Sequence, residues 1–228
     1  MILLEELTKL MKATTVKISD DHWEQLGRVP LERICMEVPP GKAKVRDAAR
    51  LLDAADKHLC ELIDGVLVEK AMDWKNALLA TKVTFWLAAY VDTEDAGVVL
   101  GAGAAAEILA GQVRIPHVSF YGWHHFPRRI LPEASIPRIA PDLAVDVIST
   151  SNTPVEMARK LRDYFSAGVK LVWYIYPKKH QVEVFTSTGG QTTLKTEDTL
   201  TGDPVLPGFS LSVDQLFATL TPNRSGHK

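Results

Sequence analysis

The stretch from Pro141 to Pro177 reads as strand, helix, strand, and no other feature constrains the fold as strongly. PDLAVDVIST is apolar around its two aspartates, the composition of a central strand covered on both faces. Thr153-Pro154 then caps and begins a helix from Val155 to Ala167, because proline is tolerated in a first helical turn. Gly168 ends that helix, and LVWYIYP comes directly after it as a second apolar strand. Strands joined by a crossover of this length lie parallel in one sheet. The expected class is therefore α/β, a mixed sheet with a parallel βαβ centre.

The flanking sequence adds antiparallel pieces. CELIDGVLVEK sets two strand-forming runs around Asp64-Gly65, a hairpin signal because both turn positions need positive φ. In the first run Glu61 and Ile63 share one face and Leu62 takes the other. Residues 44–57 suit a helix with Val45, Ala48, Leu51, Leu52 and Ala55 on one side. Asp73 to Asp92 suits a longer helix, apolar nearly all round and hence well buried. VVLGA, AAEIL and VRIPHVSFYGW are expected strands, and a loop rich in Pro and Arg runs from His124 to Pro141. QVEVFTS, QTTLKT and PGFSLSVDQLF close the chain as strands with a short final helix. Residues 1–42 read as an arm: Leu3, Leu4, Leu7, Leu10 and Met11 have helical spacing, and Pro30, Pro39, Pro40 and Gly41 punctuate the irregular remainder. Residues 43–220 form the expected folded domain and 221–228 a disordered tail.

Composition excludes several classes. Cys35 and Cys60 cannot make a disulfide framework and suit a reducing compartment. The longest apolar stretch, Val83 to Val91, is far short of the roughly 20 residues of a membrane span. Glu5-Glu6 stand where a secretory leader carries bases. A cytoplasmic protein without membrane contact is expected. No P-loop, G-x-S-x-G, H-E-x-x-H or paired C-x-x-C occurs, and GAGAAAE lacks the third glycine of a dinucleotide fingerprint. No nucleotide cofactor is expected. The 26 Lys and Arg against 28 Asp and Glu leave a net charge of -2, which excludes a histone-like polycation. That charge is uneven: residues 121–180 hold nine Lys and Arg against five Asp and Glu. Weak, salt-sensitive binding of DNA on one face is compatible with this.

Asp146 lies between Val145 and Val147, deep in an apolar run. A carboxylate there needs a metal or a basic partner, so it is a metal ligand or catalytic acid, or else the buried partner of an Arg or Lys. Asp142 shares its face, but directly after Pro141 it suits local amide bonding at a strand start. Lys160 lies four residues after Glu156, which fits a surface ion pair. Its helix leaves the C-terminal end of the Asp146 strand, so its amine is also placed to reach a metal-bound water or a phosphate. His117 interrupts VRIPHVSF after Pro116, as a structural group or as a ligand. His124-His125, beside Trp123 in a loop, read as solvated, with metal binding the lesser alternative.

Taken in order, CELIDGVLVEK, VRIPHVSF, APDLAVDVIST, the helix with Lys160 and Tyr164, AGVKLVWYIYP and LPGFSL resemble the Uma-type endonucleases. These belong to the restriction-endonuclease-like, PD-(D/E)xK superfamily. The resemblance runs from about Leu31 to Phe217. It implies a restriction-endonuclease-like mixed β-sheet core flanked by helices, with an N-terminal hairpin and a C-terminal β extension. It also implies a divalent metal, Mg or Mn, at a site that hydrolyses DNA phosphodiesters. In the family the Lys has moved from the second-acid strand to the next helix, and Ile148 here stands in the usual Lys slot while Lys160 supplies the amine. Glu61 matches a further acidic position, so Glu61, His117 and Asp146 are the implied metal ligands. The chain departs from the family pattern at two positions. Asp146 replaces the usual Glu, and His117 replaces the first metal-binding Asp. An imidazole there favours Mn²⁺ or Zn²⁺ over Mg²⁺, or else marks a catalytically inactive relative kept as a binding or assembly module. By analogy with the superfamily, a homodimer is expected.

Overall fold

The computed structural model describes residues 18–220; the expected N-terminal helix and the C-terminal tail lie outside the described residues. Among the described residues there are thirteen strands: β1 (Ile34–Cys35), β2 (Cys60–Ile63), β3 (Val66–Glu69), β4 (Gly97–Leu100), β5 (Ala106–Leu109), β6 (Gln112–Arg114), β7 (Val118–Gly122), β8 (Leu143–Val147), β9 (Leu171–Tyr176), β10 (Gln181–Phe185), β11 (Gln191–Leu194), β12 (Thr199–Gly202) and β13 (Leu206–Ser212). The α-helices among the described residues are α1 (Asp20–Gln25), α2 (Val45–Asp53), α3 (Trp74–Thr93), α4 (Pro154–Ser166) and α5 (Val213–Phe217).

The βαβ unit is present. β8 and β9 pair in parallel, with Asp146 opposite Tyr174, inside a six-stranded sheet of order β11-β10-β9-β8-β7-β4. Thr153 caps α4 by accepting from the Glu156 amide, and the Glu156 carboxylate returns to the Thr153 amide, a reciprocal capping box. Gly168, at φ +90°, ends the helix in the left-handed region that glycine adopts freely. Alternation along β8 then divides the core. Leu143, Val145 and Val147 face α3, whereas Ala144 packs with Met157, Leu161 and Tyr164 of α4. Asp146 therefore points to the α4 side.

The hairpin also forms. Asp64 (φ 48°) and Gly65 (φ 74°) make the two-residue turn, and β2 and β3 pair from Ile63↔Val66 to Cys60↔Glu69. A side chain at Gly65 would meet the Gly41 backbone at 2.7–3.0 Å. This hairpin is the centre of a second, five-stranded sheet of order β1-β3-β2-β6-β5.

Three expectations change. VRIPHVSFYGW is not one strand: β6 ends at Arg114 in the five-stranded sheet and β7 begins at Val118 in the six-stranded sheet. Pro116 lacks the N–H a ladder needs, so the run breaks there and changes sheets. Helix α3 is not buried all round. It buries Leu79, Ala80, Val83, Leu87 and Val91 and leaves Trp74 87% and Phe85 62% exposed. Helix α2 stops at Asp53, short of the expected residue 57.

Candidate active site

The change of sheet at Pro116 brings four elements to one buried point. β2 supplies Glu61, the crossing supplies His117, β8 supplies Asp146 and α4 supplies Lys160; all four are buried. Lys160 Nζ lies 3.0 Å from Asp146 Oδ1 and 2.8 Å from Glu61 Oε1. His117 Nδ1 lies 3.1 Å from Asp146 Oδ1. Tyr164, one helical turn beyond Lys160, donates its hydroxyl to Asp146 Oδ2 at 2.9 Å. The four residues singled out from the sequence thus gather in one place, but among the described residues Glu61 joins the others through Lys160 alone, and the ligand atoms of Glu61, His117 and Asp146 do not all lie within 4.8 Å of one another. Glu156 is not the partner of Lys160. It takes a bidentate pair from Arg33, at 2.8 and 3.0 Å, so the expected surface i,i+4 pair is replaced by a buried contact on each residue.

Two further cations stand in the site. Lys70, immediately after β3, donates to the Ile115 carbonyl at 2.5 Å, with His117 Nδ1 at 3.2 Å and Asp146 Oδ1 at 3.4 Å. Arg114 donates to Glu61 Oε2 at 2.8 Å and also to Asp163. The Ile115 amide completes Glu61 with a bond to Oε1 at 3.0 Å. Arg114 had a sequence signal, a charge between Val113 and Ile115 in an apolar run. Lys70 had none, because tertiary packing alone buries it.

The electrostatics follow from this crowding. Burial pushes the Glu61 carboxyl up, but Lys160, Arg114 and Lys70 outweigh burial and hold it at about 2. Burial is outweighed at Asp146 as well, by Lys160, Lys70 and His117, and its carboxyl lies far below the ordinary range. Lys70 is lowered to about 8, by burial first and then by Lys160. His117 is lowered by burial and by Lys70, so its ring is neutral near pH 7. Nδ1 faces three groups at once, the Val147 amide, Lys70 and Asp146 Oδ1, and Nε2 is buried without a partner among the described residues.

Acid should therefore loosen the fold in two stages. His117 is neutral in the native state, so stability falls as pH drops below the ordinary histidine value of 6.5 and the unfolded chain gains a proton that the folded chain refuses. Glu61 contributes stability that is complete above its ordinary value of 4.5 and is lost as pH falls toward about 2. Urea midpoints at pH 7.5, 5.5 and 4 are expected to fall in that order; a midpoint unchanged from pH 7.5 to 4 would contradict both assignments.

The donor set suits a cation. Asp146 Oδ1, His117 Nδ1 and the Ile115 carbonyl already converge on the ammonium of Lys70, and a small divalent ion seeks the same lone pairs. The surrounding cleft, lined by Arg33, Glu61, Lys70, His117, Asp146 and Lys160 among others, encloses about 10 Å³, room for about one water. A second cavity of about 270 Å³ adjoins it through Asn152 and is lined by Lys75, Lys178 and Lys179. Among the described residues, none of these three lysines makes an ion pair, nor do Arg128, Arg138 and Arg162. No helix among the described residues is long and apolar enough to cross a membrane.

Comparison with known proteins gives a consistent assignment. The crystal structure of a "putative nuclease belonging to DUF820" from Anabaena variabilis superimposes with a TM-score of 0.63, at 18% identity, covering 71% of this chain and 91% of that one. At that identity the likeness concerns the fold. No curated protein matches the chain. The family model Uma2, described as "Putative restriction endonuclease", matches residues 46–214, most of the chain. The chain belongs to the Uma2 family.

Proposed function

We propose that the protein is a metal-dependent endonuclease that hydrolyses DNA phosphodiesters, with the acid-and-lysine arrangement of the PD-(D/E)xK enzymes. The observation that carries this reading is the buried convergence of Asp146 and Glu61 on Lys160 Nζ, at 3.0 and 2.8 Å. Asp146 and His117 would hold the ion where Lys70 Nζ now lies, and Glu61, bound by Lys160, Arg114 and the Ile115 amide, would act beside it. A bound divalent ion supplies a lowered water pKa and positive charge for the phosphoryl centre. Lys160 spends two N–H donors on the carboxylates and keeps the third for the attacking water or a phosphate oxygen. Tyr164 fixes Asp146, and Arg114 fixes Glu61. Lys70 occupies the cation position and must yield it for the ion to enter. The shelf of Lys75, Lys178 and Lys179 favours a polyanionic substrate by charge alone, since phosphate contacts carry affinity without sequence.

The imidazole at 117 sets the metal preference. Wild type is expected to nick supercoiled plasmid with Mn²⁺ and more slowly with Mg²⁺. His117→Asp restores a hard oxygen donor and one negative charge, so its Mg²⁺-dependent cleavage should rise by about tenfold or more. Absence of cleavage with either metal, in wild type and in His117→Asp alike, would overturn the proposal.

A further inference from the structure

Asp142 stands at the other end of β8 from Asp146, about 13 Å along the strand, and has no part in the site above. Its carboxylate is only 4% exposed, yet both of its oxygens face imidazoles. His124 Nε2 lies 3.4 Å from Oδ1 and His125 Nε2 lies 3.0 Å from Oδ2. The three ligand atoms all lie within 4.8 Å of one another. The loop pair is thus not simply solvated.

The local structure holds this arrangement in place. A side chain at Gly122 would come 2.7 Å from His124 Nδ1 and 3.3 Å from Asp142 Oδ2, so only glycine lets the ring close over the carboxylate. Tyr121 and Phe126 flank the His125 ring, at centroid distances of 6.0 and 6.3 Å. The two imidazole centroids lie 4.1 Å apart, with the rings tilted by 37°. Two other groups share the carboxylate: the Gly122 amide donates to Oδ2 at 2.9 Å, and Lys170 Nζ donates to Oδ1 at 2.7 Å.

We propose that His124, His125 and Asp142 form a binding site for a transition-metal ion of the Zn²⁺ class. Two imidazole nitrogens and one carboxylate oxygen within 4.8 Å of one another are the donors a borderline cation selects, whereas Mg²⁺ and Ca²⁺ select oxygens. The His124 side chain is 59% exposed, so the ion enters from water and keeps an open position for a solvent ligand. Lys170 competes for Oδ1, but its side chain is 55% exposed and such a pair is weak. A bound ion would tie the turn at 123–125 to the start of β8.

The test is calorimetric titration of the untagged full chain with ZnCl₂. A saturable component of micromolar or tighter affinity is expected, in addition to any Zn²⁺ taken by the His117 site. His124→Ala combined with His125→Ala should weaken it at least tenfold, with retention of the fold checked by circular dichroism. His117→Ala, which removes a donor from the other site, should leave this affinity unchanged. Lys170→Ala should tighten binding severalfold, a gain that a purely structural hydrogen-bond cluster would not show. No saturable Zn²⁺ binding, or equal binding by the double variant, would overturn the proposal.

Discussion

Arg114→Met is expected to lower the folding free energy by about 3–5 kcal/mol, because breaking a buried ion pair leaves an uncompensated charge. Arg114 is fully buried and clasped between Glu61 and Asp163. Methionine keeps most of the apolar stem, so the loss comes from charge and not from a cavity. Glu61 then relies on Lys160 and the Ile115 amide, and Asp163 keeps, among the described residues, a long contact of 3.9 Å to Arg159. The guanidinium also ties β6 to α4, so its loss loosens the link between the two sheets that the site requires. Urea unfolding, with an unchanged m-value and a lower midpoint, is the measurement. A change below about 1 kcal/mol would show that the surrounding cations carry Glu61 unaided.

Much of the architecture was legible where one physical rule acts locally. The βαβ unit rests on apolar runs, a cap and a terminating glycine, and the hairpin rests on two positive-φ positions at Asp64-Gly65; each determines its element without help from the rest of the chain. Asp146 was legible because a carboxylate in an apolar strand must have a partner. The same rule applied to Val113-Arg114-Ile115 and would have found Arg114. Lys160 shows where local rules mislead. Four residues after Glu156 it resembles a solvated pair, yet it lies in the stripe of Met157, Leu161 and Tyr164, all buried. The stripe and not the charge spacing decides its direction. Helix α3 errs the other way, since apolar content does not say which face is covered. Lys70, and the meeting of Glu61 with Asp146, depend on the strand changing sheets at Pro116. That is a long-range event, and proline marks only where it can occur.

Lys160→Ala is expected to reduce metal-dependent plasmid cleavage by at least about 100-fold, the usual range for loss of a positioned proton-transfer or charge-stabilising group. Among the described residues its ammonium is the one donor that touches both carboxylates, so none of the described neighbours reproduces its role. Burial lowers its proton affinity, but Asp146 and Glu61 outweigh burial and raise it, so the group is charged at neutral pH and acts as a cationic donor, not as a free base. Truncation also leaves two buried acids with Lys70 and Arg114 only, and stability should fall with activity. Assays well below the melting transition separate the two effects. Methylammonium added to Lys160→Ala is expected to restore part of the rate without restoring the melting temperature, because a small cation can return the donor without returning the side-chain packing. Cleavage by Lys160→Ala within about threefold of wild type would place the catalytic cation elsewhere, and Lys70, which touches Asp146 Oδ1 at 3.4 Å, would be the group to substitute next.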